Sequence, residues 1–491
     1  MFSTIITALA VSTATLTAPT TPVDTAIDAV VRQYQEEADL PGAAVAVTRG
    51  DQVVHAAGYG HTPGGEAISE HTVMPVASVS KSFTALAVMQ LVERGKIRLD
   101  DPVRTHLPEF AMADPRADRI TVRSLLDQTS GMSDTTFRSF SGPTVHTLRE
   151  AVESMRDATL AADPGTKWEY HNPNFQVAAR LVEVVDGRSF QEYLQANVFR
   201  PLGMADSRTA DTERDLPPTG RGHLKVLGIP LALPEPPAFG NGSGGVLSSA
   251  HDMAAWLIAQ NNQGKGPQGT IATPETIATT HTPSPASKDY ALGWFTGTTP
   301  NGAPLLDHGG DLFTSTAYQA LLPASRYGIA VMANTGMLHG DAQALGARII
   351  ALLEGRQPSP ITDLFAVDAV LLALTLLVLA AAIRGITRAR RWATTRSHPI
   401  ARLLPLLTPL LLLLTIHRVV GFLYRGRDVA WLQVPYLYPT FMVLLATTTL
   451  GGLAVAATRL AALRTVSRVT SEGVTSGPGR LSHRRHRGPV T

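Results

Sequence analysis

The chain contains no cysteine. That excludes a disulfide framework, thiolate ligation of zinc or an iron–sulfur cluster, a cysteine nucleophile and a lipid-modified N-terminal cysteine. Covalent catalysis, if there is any, must use Ser, Thr, Lys or a carboxylate. Lysine is missing altogether from residues 361–491, where every cationic side chain other than His is Arg. The first four residues carry neither Lys nor Arg, so the short apolar stretch 5–16 lacks the basic flank usual before an export signal. With 17% charged and 44% hydrophobic residues the composition is not that of a disordered chain, and 491 residues leave room for more than one folded unit.

The net charge of +2 is a cancellation. Residues 1–360 hold 26 Lys+Arg against 36 Asp+Glu, whereas residues 361–491 hold 16 Arg against 4 acids. The basic excess lies between and after apolar segments, which is the pattern of membrane orientation and not of nucleic-acid binding. Three apolar runs, 365–383, 399–416 and 437–457, are each long enough to cross roughly 30 Å of hydrocarbon. The second contains Pro405 and Pro409, and Trp431, Tyr436 and Tyr438 precede the third as an aromatic belt would. Arg-rich segments follow the first and third runs, so both segments, including a basic tail over 458–491, are expected in the cytoplasm. Everything before Phe365 is then outside, in agreement with a signal peptide over 1–20. Asp368, one turn into the first run, is expected at the interface.

Between these segments lies a soluble unit over 24–355. Asp24 is placed to cap a helix reaching Ala38, which Leu40-Pro41-Gly42 stops. Segments 43–47 and 52–56, separated by Thr48-Arg49-Gly50-Asp51, read as an antiparallel hairpin, and 317–322 and 328–332 return to strand patterns. Segments 82–94, 174–185 and 190–198 read as helices. Strands at both ends with helices between predict one sheet assembled from the two chain ends, plus a helical lobe.

Three short motifs carry chemistry. In Ser78-Val79-Ser80-Lys81 the first and last residues share a helix face, so an amine stands beside a hydroxyl. A lysine ionising near 10.4 in water can take that proton only when burial or nearby positive charge lowers its pKa. Backbone N–H groups at the helix start suit an oxyanion. Tyr170-His171-Asn172 offers a phenol for proton relay and a carboxamide for a substrate amide. His308-Gly309-Gly310 lets a substrate lie close against a strand edge, where a second backbone N–H completes an oxyanion hole with that of Ser78. Read singly, these motifs are a capping Ser with a solvated Lys, a half-buried Tyr and a plain turn.

Together and in this order they resemble the site of the serine β-lactamases and penicillin-binding proteins. The likeness extends to Leu40-Pro41-Gly42, Gly95-Lys96-Ile97, Thr129-Ser130-Gly131, Pro201-Leu202-Gly203-Met204 and Gly242-Ser243-Gly244-Gly245. These resemble the class C β-lactamase and D-alanyl-D-alanine carboxypeptidase branch, over about 24–353. The resemblance implies an α/β, two-lobed domain of mixed antiparallel sheet, flanking helices and helical lobe. It implies Ser78 as acylated nucleophile, Lys81 and Tyr170 as acid and base, and Asn172, His308, Gly309 and Gly310 as substrate contacts. The backbone amides of Ser78 and Asp311 are the implied oxyanion donors, with no metal or cofactor.

The departures bear on the substrate. The Lys and Thr that anchor a carboxylate in such enzymes are here His308 and Gly309, Asp311 would repel an anion, and Asp127-Gln128 stands where Thr-His is usual. The expected activity is hydrolysis of a D-Ala peptide, a β-lactam or an ester, possible cell-wall fragments among them, by a bacterial protein held in a lipid bilayer. Two alternatives differ in kind: a receptor acylated without turnover, and an inactive membrane scaffold. The short inner segments have no room for an effector domain, which counts against the receptor.

Overall fold

The computed structural model describes residues 22–361, 364–395, 400–424 and 426–475. The expected signal segment 1–20 and the end of the basic tail lie outside these residues. Helix α1 (Val23–Glu37) is entered at Pro22, and Asp24 sits inside its first turn and not at the cap. There its carboxylate suits the positive helix end and meets His55 Nδ1 at 2.5 Å. Strands β1 (Gly42–Arg49) and β2 (Gln52–Gly60) form the expected hairpin, each longer than the expected 43–47 and 52–56. Helix α2 (Ser80–Glu93) is buried on every side from Ser80 to Leu91 and is the central helix of the helical lobe. Beside it lie α3 (Pro173–Asp186) and α4 (Ala250–Asn261). The expected helix over 190–198 is broken into a short α-turn, a π-turn over Gln195–Phe199 and a further turn ending at Gly203.

The chain then returns to the sheet through β3 (Phe295–Thr298), β4 (Pro304–Asp311), β5 (Thr316–Leu322) and β6 (Tyr327–Ala333), and closes with α5 (Asp341–Leu353). The six strands are ordered β2-β1-β6-β5-β4-β3 with every pairing antiparallel, so both ends of the unit meet at β1 and β6. Strand alternation divides the core. Val45, Val47, Ile329 and Val331 face α1 and α5, while Ala44, Ala46, Ala330 and Met332 face the helical lobe. The small side chains on that second face admit helices closely, and Trp256 of α4 stacks on Phe83 of α2 at 3.8 Å.

Three C-terminal helices are long and apolar enough to cross a membrane: Phe365–Thr387, Ala401–Leu423 and Pro439–Ser467. The second continues past the expected end at 416. Its first turns, with Pro405 inside, are 3₁₀, and the α-helical part over Thr408–Leu423 has Pro409 in its first turn, where a missing N–H costs nothing. Asp368 lies in the first turn of the first of these helices. It is buried, accepting hydrogen bonds from the Leu227 amide (2.8 Å) and from Thr440 Oγ1 (2.8 Å), and so joins the first and third helices to a surface hairpin of the soluble unit.

Candidate active site

Ser78 lies in a single 3₁₀ turn, Ala77–Val79, immediately before α2. Ala77 takes φ +47°, a left-handed conformation that costs about 1–2 kcal/mol for a residue with a Cβ. The turn is over-determined by its surroundings, because Ser80 Oγ donates to the Ala77 carbonyl (2.6 Å) and accepts from the Val246 amide (2.9 Å). Ser78 therefore caps no helix, and Lys81 is not solvated but fully buried. Lys81 Nζ lies 3.0 Å from Ser78 Oγ, 2.9 Å from Asn172 Oδ1 and 2.7 Å from the Ser243 carbonyl. Among the described residues the lysine ion pairs are those of Lys96, Lys167 and Lys225, so Lys81 has no carboxylate partner. Burial holds its pKa well below the usual lysine value and the charge of Arg427 adds to this, with Asp311 pulling the other way.

Tyr170 and Asn172 come from the loop that enters α3. Gln128, itself at φ +62°, accepts from the His171 amide (3.0 Å) and from Asn174 Nδ2 (2.5 Å), while His171 Nδ1 meets Asp134 Oδ1 at 2.8 Å. The residue standing at the departure from the family pattern is thus what fixes the phenol-bearing loop. The Tyr170 ring centroid is 4.8 Å from Lys81 Nζ. Burial pushes the phenol well above its usual pKa, and a hydrogen bond with Ser78 opposes that.

The third motif lies on β4. That strand is covered by β3 only as far as Asp307, so its edge from His308 onward is left facing the Ser78 turn. His308 Nδ1 is 2.6 Å from the Gly309 carbonyl and Nε2 is 3.1 Å from Tyr290 Oη. Since a carbonyl only accepts, Nδ1 carries the proton and Nε2 accepts from the tyrosine. Burial lowers the His308 pKa to about 3, so the ring is neutral at physiological pH. A cavity of about 410 Å³ is lined by Ser78, Tyr170, Asn172, His308, Gly309 and Asp311. Gly310 does not line it. Instead a Cβ there would overlap the Val76 carbonyl and stand 3.2 Å from the Ser78 amide. Gly310→Ala is therefore expected to push the strand edge from Ser78, costing roughly 10²-fold in kcat/KM and lowering Tm, because the overlapped atom is backbone; an unchanged rate would show that the close approach is dispensable.

Motif reading missed Gln128, the Ser243 carbonyl, Tyr290 and Arg427. Ser243 was visible only as part of a glycine-rich family match, and Arg427 carried no signal beyond its position between two apolar runs.

A family model described as Beta-lactamase matches residues 27–354. The chain is similar to "Protein flp" of Staphylococcus aureus, 26% identical over 313 residues, covering 63% of this chain and 62% of that protein, so it spans under two thirds of that relative's length. It is 31% identical over 318 residues to "Penicillin-binding protein 4" of Amycolatopsis lactamdurans, covering 61% of this chain and 82% of that one. Among solved structures, the octameric penicillin-binding protein homologue from Pyrococcus abyssi aligns with TM-score 0.58 and 25% identity over 71% of this chain and 81% of its own. EstCE1, a hydrolase with promiscuous acyltransferase activity, shares the fold with TM-score 0.55 and 20% identity over 67% of this chain and 98% of its own.

Proposed function

The chain belongs to the Beta-lactamase family, and from that premise we propose that it is a serine hydrolase working through an acyl-enzyme on an amide or ester, held in a bacterial membrane with its catalytic domain outside and its C-terminus inside. The observation that carries this reading is a fully buried lysine with no carboxylate partner, 3.0 Å from the Ser78 hydroxyl. Ser78 Oγ attacks the carbonyl carbon while its proton passes to neutral Lys81, with Tyr170 completing the acid and base pair. The oxyanion is held by the backbone N–H groups of Ser78 and Asp311. The leaving group departs with a proton from Tyr170 or Lys81, and water then hydrolyses the Ser78 ester, regenerating the hydroxyl.

Within the substrate range, the neutral His308, the missing hydroxyl at Gly309 and the adjacent Asp311 favour a substrate with no carboxylate at the strand edge. Phe140, Phe295, Phe313 and Met337 line the same cavity and suit an apolar group. The full chain in detergent, offered a short-chain nitrophenyl ester, a D-Ala-D-Ala peptide and a chromogenic cephalosporin, is expected to consume the ester with kcat/KM at least roughly tenfold above that for the carboxylate-bearing peptide. Preference for the peptide would reverse the substrate assignment, and acylation by the cephalosporin without turnover would favour the receptor.

A further inference from the structure

We propose that the loop joining the second and third apolar helices is a part of the active site, and that its Arg427 is the residue that positions Tyr170 against Ser78 and Lys81. The proposal rests on the hydrolase reading above and extends it: the C-terminal region would supply a wall of the catalytic cavity as well as an anchor.

The loop is docked at several independent points. The Asp428 carboxylate accepts from the Phe140 and Ser141 amides, each at 2.7 Å, and from Ser141 Oγ at 2.5 Å. Tyr436 Oη donates to the Pro234 carbonyl (2.9 Å), and its ring lies 6.1 Å from that of Phe313. Phe313 and Met337 of the soluble unit pack into one apolar cluster with Val420, Val434 and Leu437. The loop thereby brings Tyr424, Arg427, Val429 and Leu437 to the cavity that also holds Ser78.

Arg427 is the one cationic side chain among the described residues lining that cavity. Its Nε pairs with Asp134 Oδ2 at 2.9 Å, and Asp134, only 5% exposed, holds His171 with its other oxygen. Arg427 Nη1 donates to the Tyr170 carbonyl at 3.4 Å, and Cζ lies 5.3 Å from the centroid of the Tyr170 ring. Guanidinium, carboxylate and imidazole thus hold the chain at the Tyr170 carbonyl and at His171, directly after the phenol-bearing side chain. Because Arg427 is already paired with Asp134, and Asp428 and Asp311 stand in the same cavity, this cation is better suited to positioning than to holding an anionic substrate.

The arrangement also has an electrostatic consequence. Facing Lys81 are Ser78, Asn172, the Ser243 carbonyl, the rings of Tyr170 and Phe175, neutral His308, and two charged groups, Asp311 and Arg427. A fixed cation disfavours a second one, so Arg427 adds to burial in keeping Lys81 neutral. Removing it raises the Lys81 pKa, so the base stays protonated to higher pH and the acid limb of the rate profile moves upward.

The test uses the full chain in detergent or bilayers. Arg427→Ala is expected to lose roughly ten- to a hundredfold in kcat/KM at neutral pH, with its acid limb moved to higher pH. Arg427→Lys keeps the charge but not the fork, so its limb should stay near that of the parent while the rate falls. Independently of activity, the absence of native cysteine makes a Ser139→Cys, Ala430→Cys pair, at two positions that line one cavity and leave the Asp428 contacts intact, a clean probe, expected to cross-link with a short bis-maleimide reagent. An Arg427→Ala profile superimposable on the parent's, or failure to cross-link, overturns the proposal while leaving the Ser78 reading intact. A parent chain that turns over no ester, peptide or cephalosporin overturns both, whether or not the cysteines join.

Discussion

Ser78→Ala is expected to abolish labelling by an active-site serine probe and to lower turnover of the ester by on the order of 10⁴- to 10⁶-fold. The size follows from what the hydroxyl supplies. Without it no acyl-enzyme forms, and the residual rate is that of a water molecule lying near two backbone N–H donors. The substitution is structurally mild, because Ser78 Oγ caps no helix and the turn is held by Ser80. Tm of the variant should match that of the parent. Labelling that survives the substitution would remove Ser78 from the mechanism, whatever the rate.

Lys81→Met comes next in expected effect, at roughly 10² to 10⁴ in the acylation rate, the usual range for a positioned general base. Methionine keeps much of the volume of the aliphatic chain but leaves Asn172 Oδ1 and the Ser243 carbonyl without their donor. Each unsatisfied acceptor costs about 1–3 kcal/mol, and loss of a buried amine that must be kept neutral offsets part of it. The informative readout is the pH profile. Burial holds the Lys81 pKa well below the normal lysine value, so in the parent the neutral base is present above that depressed pKa and is lost as the pH falls through it. Acylation should therefore decline toward acid in the parent, and the variant should lose that limb along with the rate. His308 contributes no limb near neutrality, its pKa having been lowered to about 3 by burial. A variant that retains the acid limb of the parent would assign that ionisation to another group, with Asp311 the nearest alternative.

The soluble fold was legible in outline because its signals are local. The i, i+3 spacing of Ser78 and Lys81 already places amine and hydroxyl on one face, and the short apolar runs 43–47 and 328–332 already mark two strands at opposite ends of the unit. The errors were local as well. Asp24 lies inside the first turn and pairs with His55 instead of capping the helix, and the second apolar helix runs past 416, through His417 and Arg418, to Leu423. Neither error displaced a site residue.

What the amino-acid order determined by itself was the family, the identities of the hydroxyl, amine and phenol, and the existence of three apolar helices, since each is written in a window no longer than a helix or a motif. The tertiary structure alone decided that Lys81 is buried without a carboxylate, that His308 is neutral, that Gln128 fixes the Tyr170 loop, and that Arg427 from between two apolar helices lies against Tyr170. Those properties depend on desolvation and on charges meeting across more than 250 residues of chain in the last case. Neither is encoded in any short segment; both arise only when distant surfaces close on one another and exclude water.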